Sequence, residues 1–390
     1  MHEALARIGR EASTLRADAE ACDALGRLTA LTADTLRSSG GIRLLQPKEF
    51  GGFEAHPNDF LEWVMAVAAE SPSAGWVSGV VGLHPWEIAL MDPRMAKEVW
   101  GDDPDTWVAS PYAPFGRARR VDGGFLLSGR WPYSTGTDHC SWVVLGGMVA
   151  DDSGTAATPP DIRHFMLPRG DYEIVENSWN VVGLSGSGSK DVEMTDVFVP
   201  DYRVVEAQKM HDGLYADERQ AGKPLYRMLF ALLFSAGISA ATVGIAEGAV
   251  RSFDEYTASR VSIGRGLPKC DPYQMAGFGE TAADVAASRV HLLHITAELF
   301  DHVSQGGTVT MSQRLEYRRS QVRAARRAIT AVERLANLAG AGSLALDQPL
   351  QRYWRDLHAG GNHICNVSDP VYFAWGVEHF GGAVPAGTFA

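Results

Sequence analysis

Cysteine is scarce in this chain: Cys22, Cys140, Cys270 and Cys365 are scattered over 390 residues. None stands at the short pair spacings that zinc sites and redox motifs need, so neither a metal staple nor a disulfide framework is expected, and ordinary buried thiols are. Long apolar runs are equally lacking. The longest, such as Leu229 to Ile238, are interrupted by Ser and Gly and are too short to span a bilayer. No apolar stretch follows a basic N-terminus, which predicts a cytoplasmic protein with no membrane insertion. Positive charge is in deficit too, with a formal net charge of -12 that argues against a nucleic-acid partner. Phosphate-binding loops, helices with two metal-spaced histidines and nucleophile elbows are all missing, which removes simple nucleotide hydrolysis, zinc hydrolysis and acyl transfer. A small molecule or another protein is the partner left.

What is present falls into an α, then β, then α order. From Ala4 to about Arg37, Leu15, Ala19, Cys22 and Leu25 recur at helical spacing before Ser38-Ser39-Gly40-Gly41 stops the helix. A further helix is expected from Pro57, with Phe60, Val64 and Val67 facing inward, and more helix through Trp76 towards Trp100. Between about Asp105 and Arg203 the runs shorten and become β-prone, as in Phe125-Leu126-Leu127-Ser128 and Trp142-Val143-Val144-Leu145. Helical periodicity returns from Pro224 to Gly340, where Val322, Ala325, Ile329, Val332 and Ala336 form a stripe opposite Arg319, Arg323, Arg326 and Arg327. That arginine face reads as solvated or as an interface, with phosphate binding as the secondary reading. Ala150 to Pro160 has the composition of a surface loop. The predicted division is 1-104 helical, 105-205 β and 206-390 a helical bundle.

Two places combine aromatic and titratable side chains: Trp76 with His84-Pro85-Trp86, and His358 with His363. His84 taken alone reads first as a hydrogen-bonded core group. Gly183-Leu184-Ser185-Gly186-Ser187-Gly188-Ser189 is glycine-rich, yet β-like residues follow it where a dinucleotide fingerprint would have a helix. A tight loop beside a ligand and a plain hairpin turn both fit it.

Six ordered segments carry a family resemblance. They are Leu44-Leu45-Gln46-Pro47 with Phe50-Gly51-Gly52; Gly75-Trp76-Val77 with His84-Pro85-Trp86; Ser128-Gly129-Arg130-Trp131 with Ser134-Thr135-Gly136; Val182-Gly183-Leu184 with Gly186 to Asp191; Val199-Pro200; and Trp354-Arg355-Asp356 with His358 and His363. Each is weak, but together and in order they resemble the acyl-CoA dehydrogenase superfamily over nearly the whole chain. Within it, the likeness is to flavin-dependent monooxygenases, namely the oxygenase components of 3-hydroxy-9,10-secosteroid and 4-hydroxyphenylacetate hydroxylases. The resemblance implies an α+β acyl-CoA dehydrogenase fold: an N-terminal helical domain, a middle β-sandwich or barrel, and a C-terminal four-helix bundle. It implies reduced FMN or FAD supplied by a separate NAD(P)H-dependent flavin reductase, molecular oxygen, a C4a-hydroperoxyflavin, an aromatic substrate, and a homotetramer.

By the same resemblance Trp76 walls the flavin, Ser110 contacts it, and Thr135, or Ser134 if the alignment slips by one, bonds flavin N5. His84 takes the substrate's phenolic proton, and His363 lies close to the peroxide. Arg260, followed by Ile263-Gly264, reaches flavin phosphate across a subunit interface. Two departures qualify the substrate. Asn366 and Val367 follow His363 where the secosteroid enzymes carry an Asp, and Val204 to Pro224 has no match. A dehydrogenase on this fold would need a catalytic carboxylate, typically a Glu before Gly-Thr, and Ser368-Asp369-Pro370-Val371-Tyr372 has none. Indole-type or heteroatom oxygenation is the runner-up, and a flavin binder without turnover ranks last because His84, Thr135 and His363 are all present.

Overall fold

The structure is a computed structural model that describes residues 2–150, 159–260 and 268–390. Most of the Ala150 to Pro160 loop, and Ile263-Gly264 after Arg260, lie outside the described residues. The first hundred residues are helical: α1 Glu3–Arg10, α2 Ala12–Leu25, α3 Ala30–Ser39, α4 Pro57–Glu70, α5 Pro72–Val81, α6 His84–Ala89 and α7 Pro93–Trp100. Local chemistry sets their ends. Gly40 ends α3 in the left-handed region at φ 76°, while Pro57 opens α4 behind His56, whose ring nitrogen accepts from the Asn58 N–H. Phe60, Val64 and Val67 are fully buried, as their spacing predicts, whereas Leu25 at the end of α2 is exposed.

The middle of the chain forms β1 Val108–Ala109, β2 Gly116–Val121, β3 Gly124–Ser134, β4 Trp142–Ala150, β5 Ile162–Pro168, β6 Glu173–Val175, β7 Lys190–Pro200 and β8 Val204–Glu206. The expected sandwich or barrel takes the form of one hydrogen-bonded sheet among the described residues, ordered β6-β7-β3-β2-β4-β5-β8, with β1 beside β4. Among the described residues, only the β1–β4 and β2–β4 pairings are parallel. The sheet curls on itself. Phe125 of β3 and Phe165 of β5, on strands that are not neighbours, meet edge to face at 5.5 Å between ring centroids.

Helices return as α8 Ala207–His211, α9 Ala216–Arg219, α10 Phe230–Ser259, α11 Pro272–Ser304, α12 Met311–Ala339, α13 Pro349–Gly361 and α14 Ser368–His379. Here α10 corrects the reading that Ser and Gly break its apolar run. It is a continuous helix, long and apolar enough to cross a membrane by length and composition, and 94% of its most apolar window is buried within the molecule. Its glycines serve close packing. A Cβ on Gly244 would come 2.5 Å from the Met65 carbonyl of α4, and one on Gly79 of α5 would come 2.9 Å from the Gly237 carbonyl. Thus α10 packs on α4 and α5 as well as on α12 and α13, and one hydrophobic core runs from Ala4 to Cys365. On α12, Val322, Ala325, Ile329 and Val332 are buried while Arg323 and Arg326 are exposed, and Ala336 is only partly covered. The arginine face begins one residue later than the run of arginines does, because Arg318 is inside. Cys22, Cys140 and Cys365 are buried; Cys270 is exposed, contrary to the expectation of buried thiols, since it sits in the connection before α11.

Candidate active site

The short helix α6 brings His84 and Glu87 onto one face, three residues apart in an otherwise apolar stretch, and both are fully buried. Opposite them lies Tyr112, delivered by the segment after β1. That segment approaches β4 so closely that a Cβ on Gly146 would stand 2.0 Å from the Tyr112 carbonyl oxygen. The Tyr112 hydroxyl lies 2.9 Å from His84 Nδ1 and donates to Glu87 Oε2. On the other side, His164 of β5 reaches Glu87 Oε1 through Nδ1 at 2.6 Å. A continuous polar chain, His84–Tyr112–Glu87–His164, therefore runs through the core.

Burial sets the charge states in this chain. Desolvation pushes His84 down to about 4, outweighing the attraction of Glu87, so its imidazole is neutral at physiological pH. Burial would raise Glu87, yet its pKa lies below the ordinary value because charge on His164 and hydrogen bonds from His164 and Tyr112 favour the carboxylate. Tyr112 is held well above the usual phenol range by burial and by Glu87, and stays protonated.

Aromatic rings extend the site. Tyr112 meets Phe230 at 5.0 Å and Phe234 at 5.5 Å, both on α10, and Phe234 meets His363 at 5.9 Å. His363 in turn lies edge-on to Trp76 of α5 at 5.5 Å, and Gly360 lets α13 pass beneath that indole, where a Cβ would come within 2.8 Å of it. So Trp76, His84 and His363, far apart in sequence, border one aromatic-lined region. The His363 turn is tied down by buried Arg318, which donates to the carbonyls of Cys365 and Phe389 and to Gln321. Half-buried His363 is pushed down to about 4, chiefly by desolvation and then by the charge of Arg318.

A second wall is rich in hydroxyls. Thr135, just past β3, shares a 2.9 Å hydrogen bond with Ser189, which shares one of 2.8 Å with Ser187. The Gly183–Ser189 segment is a buried loop rather than a plain hairpin turn. Leu184 and Gly188 have φ of 58° and 56°, the Leu184 N–H donates to Asp356 at 2.6 Å, and the Gly186 N–H donates to Asp23 at 3.2 Å. Helix α5, which carries Trp76, packs against both this loop and β1. The chemistry of these residues suits an aromatic group with a polar edge. Trp76 offers an apolar face, while the hydroxyls of Ser110 and Ser134 and Nε2 of His84 are buried with no hydrogen-bond partner. No group of three or more His, Cys, Asp or Glu among the described residues could hold a metal ion.

Other expected residues lie elsewhere. His358 does not join His363; its ring bonds the Trp354 carbonyl at 2.7 Å and approaches Glu333 at 3.3 Å. Trp86 is core, its indole N–H donating to the Leu225 carbonyl at 2.9 Å. Arg260 stacks on Tyr256 at 5.3 Å and donates to the Ala339 carbonyl of its own chain. Asn366 is buried and tied to Thr242 and to the Gly360 carbonyl. The unmatched Val204 to Pro224 stretch supplies His211, which stacks flat on Phe230 at 5.0 Å and lies 6.2 Å from His164. Sequence reading missed Tyr112, Glu87 and His164. Glu87 carried a usable signal, a lone carboxylate between Val80 and Met91, while Tyr112 carried none.

Residues 236–367 match the family model described as acyl-CoA dehydrogenase, C-terminal domain. The chain is 44% identical over 380 residues to a pigment production hydroxylase of Rhodococcus erythropolis, covering 97% of each chain. It is 38% identical over 370 residues to the flavin-dependent monooxygenase oxygenase subunit HsaA of Rhodococcus jostii, covering 94% of this chain and 96% of that one. Among solved structures, the 3-HSA hydroxylase from Rhodococcus sp. RHA1 superposes with a TM-score of 0.94 at 36% identity, over 100% of this chain and 99% of that one.

Proposed function

Because the chain belongs to the oxygenase components of the flavin-dependent monooxygenases, on an acyl-CoA dehydrogenase-like fold, we propose that it hydroxylates a phenolic or polycyclic aromatic ring with reduced flavin and molecular oxygen. The observation that carries the aromatic, hydroxyl-bearing substrate is the unpartnered Nε2 of neutral, buried His84, whose ring meets Tyr112 and through it the Phe230 and Phe234 rings. Ring faces there favour a flat apolar ligand, and an imidazole lone pair is matched to an acidic O–H. A bound reduced flavin would supply the two electrons that activate molecular oxygen, one atom of which enters the product and the other leaves as water. Trp76, Ser110, Ser134 and Thr135 are assigned to holding it; His84 is assigned to the substrate hydroxyl, and His363 to the reacting oxygen.

Since the described residues contain no nicotinamide-binding fingerprint, a separate NAD(P)H-dependent reductase is assigned to deliver the flavin. The assembly is read as a homotetramer. Support comes from the apolar side chains exposed near the C-terminus, Ile364, Phe373 and Phe380, and from the arginine face of α12. Arg260 is assigned to flavin phosphate of a neighbouring subunit, a role that light scattering of wild type and Arg260→Ala with and without flavin can test. The activity test supplies chemically reduced FMN or FAD, isotopically heavy oxygen gas and a panel of phenols and indoles. Heavy oxygen in the ring of a phenol supports the reading; heavy oxygen only in peroxide or water, for every compound, contradicts it.

A further inference from the structure

The hydrogen-bond chain in the core determines which nitrogen of each site histidine carries its proton. A tyrosine hydroxyl has one hydrogen to give. That of Tyr112 goes to Glu87, whose carboxylate can only accept and whose other oxygen is occupied by His164 Nδ1. The remaining contact of the Tyr112 oxygen, 2.9 Å from His84 Nδ1, must then be one in which Tyr112 accepts. His84 therefore bears its hydrogen on Nδ1, and its buried Nε2, which has no partner in the protein, is a bare lone pair. At His363 the logic runs the other way. Its Nδ1 accepts from the backbone N–H of Cys365 at 3.2 Å, so the neutral ring carries its hydrogen on Nε2.

We propose that Tyr112 and Glu87 are positioning residues that lock His84 as a proton acceptor, and that the Cys365 turn, held by Arg318, locks His363 as a proton donor, giving the site two histidines of opposite tautomer. This deepens the hydroxylase reading and rests on it for its chemical use. A substrate O–H would pass its proton to His84 Nε2. The O–H bond breaks, an N–H bond forms, and the ring oxygen keeps the electron pair that activates the carbon beside it. The imidazolium so formed keeps Nδ1–H on Tyr112 and faces the Glu87 carboxylate through it. His363 Nε2–H stays a donor, suited to an oxygen that gains negative charge. Free imidazole has no such division of labour, because its two tautomers interconvert.

The test is nitrogen-15 magnetic resonance of histidine-labelled full-length protein near pH 7, with no flavin or substrate added. Signals are assigned by their loss in His84→Gln and His363→Gln. The expected result is a protonated Nδ1 and an unprotonated Nε2 for His84, and the reverse for His363. Tyr112→Phe keeps the ring packing and removes only the oxygen, so it should release His84 into the opposite or a mixed tautomer. It should also lower product formed per flavin oxidised by about 10-fold or more while flavin oxidation itself is unchanged. Nδ1 unprotonated in wild-type His84, or a His84 tautomer untouched by Tyr112→Phe, overturns the assignment; so does a protonated Nδ1 on His363. Since the tautomers are read without flavin, a wrong tautomer sinks this inference alone, whereas absent ring hydroxylation sinks the proposed function whatever the tautomers are.

Discussion

The two walls of the candidate site are built by different physics. The His84 wall is dry and aromatic: a buried chain ties His84 Nδ1, Tyr112, Glu87 and His164 Nδ1 together and leaves His84 Nε2 without a partner, and two of its histidines, His84 and His211, are pushed down to about 4 by desolvation. The Thr135 wall is a relay of hydroxyls on a glycine-rich loop, anchored at its rim by ions, with Lys190 bridging Asp138 at 2.7 Å and Glu176 at 2.8 Å. Low dielectric on one side keeps His84 neutral with its Nε2 lone pair free, and adaptable hydroxyls on the other suit the polar edge of a ring cofactor. One wall sets a protonation state; the other sets a position.

If that division holds, the largest effect belongs to His84→Ala. It should slow ring hydroxylation on the order of 10²- to 10⁴-fold while flavin oxidation by oxygen keeps its rate, as measured in single turnovers. Equal slowing of both steps would mean that the walls do not divide the work. Next comes acid stability. The folded His84 pKa, about 4, lies below its ordinary 6.5, so the unfolded chain takes up the proton first as pH falls. Stability from keeping this ring neutral is complete above pH 6.5 and is lost between 6.5 and 4, on the order of 3 kcal/mol if the shift is fully expressed. Urea midpoints across that range should fall less steeply in His84→Gln than in wild type; parallel curves would show that burial does not hold His84 neutral.

Gly146→Ala tests the dry wall without touching a polar group. Its Cβ would stand 2.0 Å from the Tyr112 carbonyl, which should cost about 1–3 kcal/mol of stability and displace Tyr112 from His84. Thermal unfolding and product yield should fall together, and an unchanged yield would show that Tyr112 placement does not matter. Smallest is Thr135→Ala, which removes one hydrogen bond to Ser189, worth about 1 kcal/mol. Its expected signature is a several-fold faster return of flavin to the oxidised state without product, with His84 chemistry intact in the turnovers that do succeed.

How much of this was legible beforehand follows the range of the interactions. Local signals reported well: Pro57 and Gly40 punctuate helices, and the 3.6-residue stripe on α12 is buried from Val322 to Val332, with Ala336 at its end partly covered. Signals that depend on distant partners did not. Gly237 within Leu229–Ile238 looks like a break, yet it is where α10 closes on α5. Arg318 carries no mark along the chain that separates it from its neighbour Arg319, yet it is 1% exposed and ties down the His363 turn. Trp76, His84 and His363 were singled out from motifs, and they do border one region. Tyr112, from the segment after β1, and His164, from β5, join it only through long-range contacts, which no spacing along the chain encodes.

The most direct test of the central reading is stopped-flow absorbance of the protein carrying anaerobically reduced FMN, and separately FAD, mixed with oxygenated buffer, with and without a phenol that it accepts. The predicted result is a transient absorbing species that persists without the phenol, decays faster with it, and leaves a hydroxylated ring. Reoxidation at the rate of free flavin, with no transient and no ring product for either flavin, would contradict it.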